Sequence, residues 1–144
     1  MQREHIQRLT RLWPLLLLVA WIIFPEEWLG LKWATFGHVL FTIFANDTEH
    51  VIGHISLFLL LGLGTIYVFP KLRKKPFFYF CLLLVGVIQE AAQLLFKHRW
   101  LARDDWRDLA TDLVGLTLAY ALAWGEYAWR KSRVKRENTP FPID

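Results

Sequence analysis

The sequence predicts an all-α membrane protein, a bundle of four transmembrane helices with an extra interfacial or re-entrant helix between the first and second spans. Three observations predict it. Apolar residues make up 55% of the 144, Trp alone accounts for eight, and the mean hydropathy is positive, whereas in a soluble domain apolar residues with Gly included reach about half. The apolar residues are gathered into runs, some of them about 20 residues long, which is the length of helix that crosses a bilayer core. Lys and Arg stand in short clusters between these runs. That arrangement sets membrane topology, and it argues against nucleic acid as a partner despite a net charge of +4 and a pI near 9.4.

The elements follow in order within one domain over 1–136. The polar, basic start carries Arg3, Arg8 and Arg11 and leads into LWPLLLLVAWIIF. This run is short for a span, so the first helix is expected over about 8–25, with Arg8 and Arg11 snorkelling to the surface. No small-residue cleavage site follows it, so it reads as a retained helix rather than a signal peptide. Residues 28–44 are apolar but include Lys32, Gly37 and His38 and scattered aromatics, the pattern of an interfacial or re-entrant helix. Spans follow at about 50–69, 77–96 and 108–129. The basic stretch Lys71-Leu72-Arg73-Lys74-Lys75 separates the second from the third, and RKSRVKR follows the last. The tail 137–144, with two prolines, is expected to be disordered. Cys81 is the single cysteine; it excludes an intramolecular disulfide and CxxC chemistry and reads as a packing residue.

Four spans put both termini and the 71–75 loop on one side, and the positive-inside rule makes that side cytoplasmic in a bacterial inner membrane. A fifth span over 28–44 would put the basic N-terminus and the basic loop on opposite faces. The topology brings His50 with His54, Glu90 with Gln93, and Asp108 with Asp112 to the outer side. Each pair is three or four residues apart and so shares a helix face. The same faces continue through Gly62, Gly86 and Gly115, where a missing side chain lets helices approach closely.

Ionisable groups at the edge of apolar spans are costly, and this makes the stretch from Gly86 to Gly115 the candidate site. His50 and His54, at i and i+4, are spaced to hold a divalent metal between two imidazoles, with Glu90, Asp108 and Asp112 as oxygen ligands; equally, they can be interfacial histidines bonded to neighbours. A bis-histidine haem is disfavoured because both histidines share one helix. Glu90 beside Gln93 fits a general acid/base next to an orienting amide, or simply interhelical hydrogen bonding. Lys97, Arg99, Arg103 and Arg107 alternate with Asp104, Asp105 and Asp108. A basic group in this outward loop, Arg103 before the others, is suited to hold a phosphate or carboxylate head group, while Lys97 and Arg99 read as salt-bridging residues of a solvated loop. His5, His38 and His98 receive no role.

On these residues the chain resembles the VanZ-like family of small bacterial membrane proteins. The first motif of that family is matched by His50, Gly53, His54, Phe58 and Gly62, the second by Glu90 and Gln93, and the third by Arg103, Asp108 and Gly115. Asp112 stands where the family usually has asparagine, and His50 where asparagine or aspartate is usual. The resemblance covers about His50 to Gly115. It implies a polytopic inner-membrane protein, the name-giving member being linked to resistance to the glycopeptide teicoplanin, and it implies no defined chemistry.

Two function classes follow. In the first, the outer polar cluster (His50, His54, Glu90, Gln93, Arg103, Asp105, Asp108, Asp112) binds a lipid head group, an envelope component or a partner without catalysis. In the second, a small membrane enzyme acts on a lipid-linked phosphate or ester, with a divalent metal on His50, His54, Glu90 and Asp108, and with Glu90, Asp108 and His54 as catalytic candidates. No GxSxG, HExxH or paired Cys and His occurs, and the only hydroxyls near the cluster are Ser56 and Thr111, which on helices usually bond back to the preceding turn. The first class is favoured.

Overall fold

A computed structural model describes residues 2–24, 26–43 and 46–137. Among these the secondary structure is helical, with no strand: α1 (Gln2–Ile23), α2 (Glu26–Lys32), α3 (Ala34–Ile43), α4 (Asp47–Val68), α5 (Pro76–Lys97) and α6 (Arg103–Glu137). A short 3-10 turn, Pro70–Lys74, joins α4 to α5. The tail residues 138–144 lie outside the described part.

The long helices close into a ring. α1 packs on α4 and α5, and α6 packs on the same two helices from the other side, while α4 and α5 touch only slightly across the middle. Phe58, Leu61, Ile66, Tyr79, Leu116, Ala119, Ala123 and Ile22 form the core. Glycine decides how closely α4 and α6 approach. A methyl group on Gly115 would lie 2.5 Å from the Ile55 carbonyl oxygen, and one on Gly62 would lie 2.5 Å from the Ala119 Cβ. On α5, a methyl at Gly86 would stand 2.5 Å from Asp112 Oδ2 and 3.1 Å from the Phe58 ring. The three glycines are therefore packing positions on faces turned toward one another.

α4 and α5 are long and apolar enough to cross a membrane, while the apolar part of α1 is the shorter stretch Leu12–Ile23. α6 is different in kind. Its first three turns carry Asp104, Asp105, Asp108 and Asp112, and its last turns carry RKSRVKR, so an apolar middle sits inside a helix of 35 residues. The helix also runs past Trp129, where the span was expected to end, supported there by the Arg130–Glu126 pair at 2.7 Å and by Arg133 over the Trp129 ring. Glu137 is thus helical, at the point where the disordered tail was expected to begin.

Two short helices stand where one interfacial or re-entrant helix was expected. α2 and α3 pack on each other through Gly30 and Gly37, both buried, and Trp21 of α1 meets Phe36 of α3 edge to face. At a rise of about 1.5 Å per residue, the ten residues of α3 reach roughly half of a hydrocarbon core. Cys81 is exposed, which corrects its reading as a packing residue: its position on α5 faces away from the core stripe of Tyr79, Gly86 and Glu90.

The ends of the ring differ in charge. Arg73 pairs with Glu126 at 3.3 Å and Lys74 sits over the Tyr127 ring, so the 71–75 turn and the basic end of α6 share one end. The start of α4, the end of α5 and the start of α6 share the other.

Candidate functional site

α4 and α6 run in the same direction from this second end, and each begins with the same device. The side chain of Glu49 accepts from the Asn46 N–H at 3.3 Å, and that of Asp105 accepts from the Ala102 N–H at 2.6 Å. In each case the third helical residue reaches back to the residue before the helix and satisfies one of its unbonded N–H groups. The parallel start puts the i, i+4 pair of one helix against that of the other. His50 Nε2 lies 3.3 Å from Asp108 Oδ2, and His54 Nδ1 lies 2.7 Å from Asp112 Oδ1, both pairs 58 residues apart in sequence. The inner pair is closed off, with side chains 7% and 0% exposed, whereas the His50 side chain at the mouth is 40% exposed.

α5 enters from the third side and contributes Glu90, which is 3% exposed. It lies within electrostatic reach of Asp108, His54, Asp105 and Asp112. Asp108 Oδ1, Asp112 Oδ2 and both Glu90 oxygens are buried and accept no hydrogen bond from a donor among the described residues, Glu90 standing carboxyl to carboxyl with Asp105. A buried acceptor left unbonded costs about 1–3 kcal/mol, more if charged, a cost that an occupant supplying positive charge or donors would relieve. One ligand atom each from His50, His54 and Asp108 falls within 4.8 Å of the others, a grouping that could hold one metal ion once the side chains close in.

The other expected site residues are placed differently. Gln93 lies at the edge, where its Oε1 accepts from Lys97 Nζ at 3.4 Å. The amide buried next to Glu90 is Gln89, whose Oε1 has no partner among the described residues; its only signal in the sequence is a polar residue inside an apolar run. Arg103 is exposed and makes no ion pair among the described residues. Arg99 makes the salt bridge, gripping both oxygens of Asp105, which is 1% exposed. It gets there because His98 ends α5 in the left-handed region, φ 48° and ψ 41°, and turns the chain back toward α6. Arg107 reaches Asp47 at 3.3 Å on the surface. Thr111 Oγ1 bonds back to the Asp108 carbonyl and Ser56 is exposed, so neither hydroxyl is set up as a nucleophile.

The Arg99 guanidinium holds the Asp105 carboxyl below its ordinary range, against the opposing effect of burial and with help from the Ala102 N–H. A carboxyl lowered in the folded state contributes stability that is fully present above its unfolded pKa of about 3.9 and is lost as pH falls toward the folded value. The protein should therefore lose stability on acidification below about pH 5, and Asp105→Asn should flatten that part of the melting-temperature profile. Arg99→Gln strands the carboxylate and should cost about 1.5–3 kcal/mol at neutral pH, read as a lower midpoint in thermal unfolding.

No family model, no curated protein and no solved structure matches this chain.

Proposed function

We propose that the chain is a VanZ-like, multi-pass inner-membrane protein in which α1, α4, α5 and α6 span the bilayer, and that its outward-facing polar cluster binds the phosphorylated head group of a lipid or lipid-linked envelope component without catalysis. The observation that carries the binding role is the set of buried carboxylate oxygens of Glu90, Asp108 and Asp112 that accept from no donor among the described residues, beneath the half-exposed His50. Such a site takes up positive charge, and exposed Arg103 at its rim suits the accompanying phosphate. For the membrane, α4 and α5 are apolar yet only 33% and 22% buried, unlike the core helices of a soluble domain. Ile52, Leu60, Phe77, Phe80, Leu84 and Leu95 all face outward, an apolar surface that suits lipid. For the family, the matching residues interlock: Phe58 lies under both Gly86 and Gly115, and Gly62 against α6. A metal-dependent enzyme acting on a lipid-linked phosphate or ester is the second reading, favoured by the grouping of His50, His54 and Asp108.

Single-cysteine variants in a Cys81→Ser background test the topology. An impermeant thiol reagent applied to intact cells is expected to label position 101 and not position 73; the reverse pattern would overturn it. Lipids retained by the purified protein test the binding. Native mass spectrometry should show a phosphorylated lipid on the wild type that Glu90→Gln and Arg103→Gln each release. Turnover of that lipid by the purified protein would decide for the enzyme.

A further inference from the structure

We propose that the acidic end of the bundle holds one divalent transition-metal ion of the zinc class, with His50, His54 and Asp108 as ligands, buried Glu90 of α5 adding negative charge behind them, and Asp112 orienting His54. This names the positive charge that the head-group reading needs at the cluster, and it stands without that reading.

Geometry is the first support. Ligands about 2.0–2.1 Å from a tetrahedral ion lie about 3.3 Å from each other. His50 Nε2 and Asp108 Oδ2 are 3.3 Å apart, which is loose for a direct hydrogen bond, and the His54 ligand atom, within 4.8 Å of both, reaches the same ion with a shift of up to about 1.5 Å. The His54–Asp112 pair is the second support. With Asp112 ionised, the proton of the His54 ring sits on Nδ1 in the 2.7 Å bond, so Nε2 keeps the lone pair that a metal takes. A carboxylate behind a ligating histidine fixes the ring and raises its basicity. Glu90 is the third support, since it is 3% exposed, lies within electrostatic reach of Asp108, His54 and Asp112, and accepts no hydrogen bond from a donor among the described residues. Three carboxylates converge on imidazoles that are neutral when they ligate, and a dication brings the group close to neutrality. Imidazole nitrogens with carboxylate oxygens suit zinc and its neighbours rather than magnesium or calcium, which prefer oxygen alone. The half-exposed mouth at His50 gives the ion a way in.

The test uses the full chain in detergent, purified with a tag that contains no histidine. Elemental analysis should find about one zinc-class ion per chain, as expected for a preformed site. After chelation, added Co2+ should give the intense visible bands of a tetrahedral nitrogen–oxygen site, displaced by Zn2+. His50→Gln and Asp108→Asn should each lose both signals, while Lys97→Gln keeps them. Folded wild type that carries no metal and gives no such bands would overturn the proposal, and so would variants that bind as the wild type does. Should the variants fail to fold, the wild-type cobalt spectrum decides by itself. Retention of a lipid with no metal would sink this inference and leave the head-group reading standing.

Discussion

Gly115→Leu is expected to abolish the folded state in detergent, and Gly115→Ala to lower the thermal midpoint sharply. What stands against the new side chain is backbone. A methyl group there meets the Ile55 carbonyl oxygen at 2.5 Å, the Leu59 nitrogen at 3.0 Å and the Phe58 Cβ at 3.0 Å. A helix backbone cannot yield to one side chain, so α4 and α6 must separate along their whole contact. Overpacking typically costs about 1–3 kcal/mol and occasionally more, and here the separation also breaks the His54–Asp112 bond one turn away. Gly125→Ala is the control. Nothing lies within 4 Å of that position, so the change should be neutral or stabilise by up to about 1 kcal/mol through helix propensity. An unchanged midpoint for Gly115→Leu would mean that this face of α6 meets lipid rather than α4.

What could be read from the sequence was periodic. Histidines at i and i+4 on one helix, aspartates at i and i+4 on another and glycines continuing the same faces are enough to bring His50, His54, Asp108, Asp112, Gly62 and Gly115 together. What could not be read depends on where the faces end. The stripe of α5 through Tyr79, Gly86 and Glu90 continues to Gln93 by spacing, but the bundle opens there and Lys97 takes the amide. Gln89, one residue aside, is buried instead because α5 is wedged between two neighbours. The exchange of Arg103 for Arg99 has a single cause in the backbone. A left-handed histidine at 98 turns the chain back, and a non-glycine residue gives no advance notice of a positive φ. The pairing of α2 with α3 was hidden for a related reason, since two glycines seven residues apart show that helices can approach without showing that a break at Trp33 folds them together.

His54→Leu is expected to be among the most damaging single changes, because it leaves the Asp112 carboxylate, 0% exposed, with no partner. Breaking a buried pair from one side costs roughly 3–5 kcal/mol, where removing both members need cost far less. Asp112→Leu should be milder than His54→Leu, since it strands an imidazole that can stay neutral. Asp112→Asn should be milder still, because an amide oxygen accepts from Nδ1 as the carboxylate does. The double change His54→Leu with Asp112→Leu should fall short of the sum of its parts by about 0.5–3 kcal/mol, measured from thermal or denaturant unfolding in one detergent. The same cycle on Arg103 with Glu90 should show no coupling, since Arg103 is exposed and unpaired among the described residues. Strict additivity for His54 and Asp112 would make the two helix ends independent neighbours. Asp112 would then not be the group that fixes the His54 ring, and the proposed ion would lose the carboxylate that orients one of its ligands.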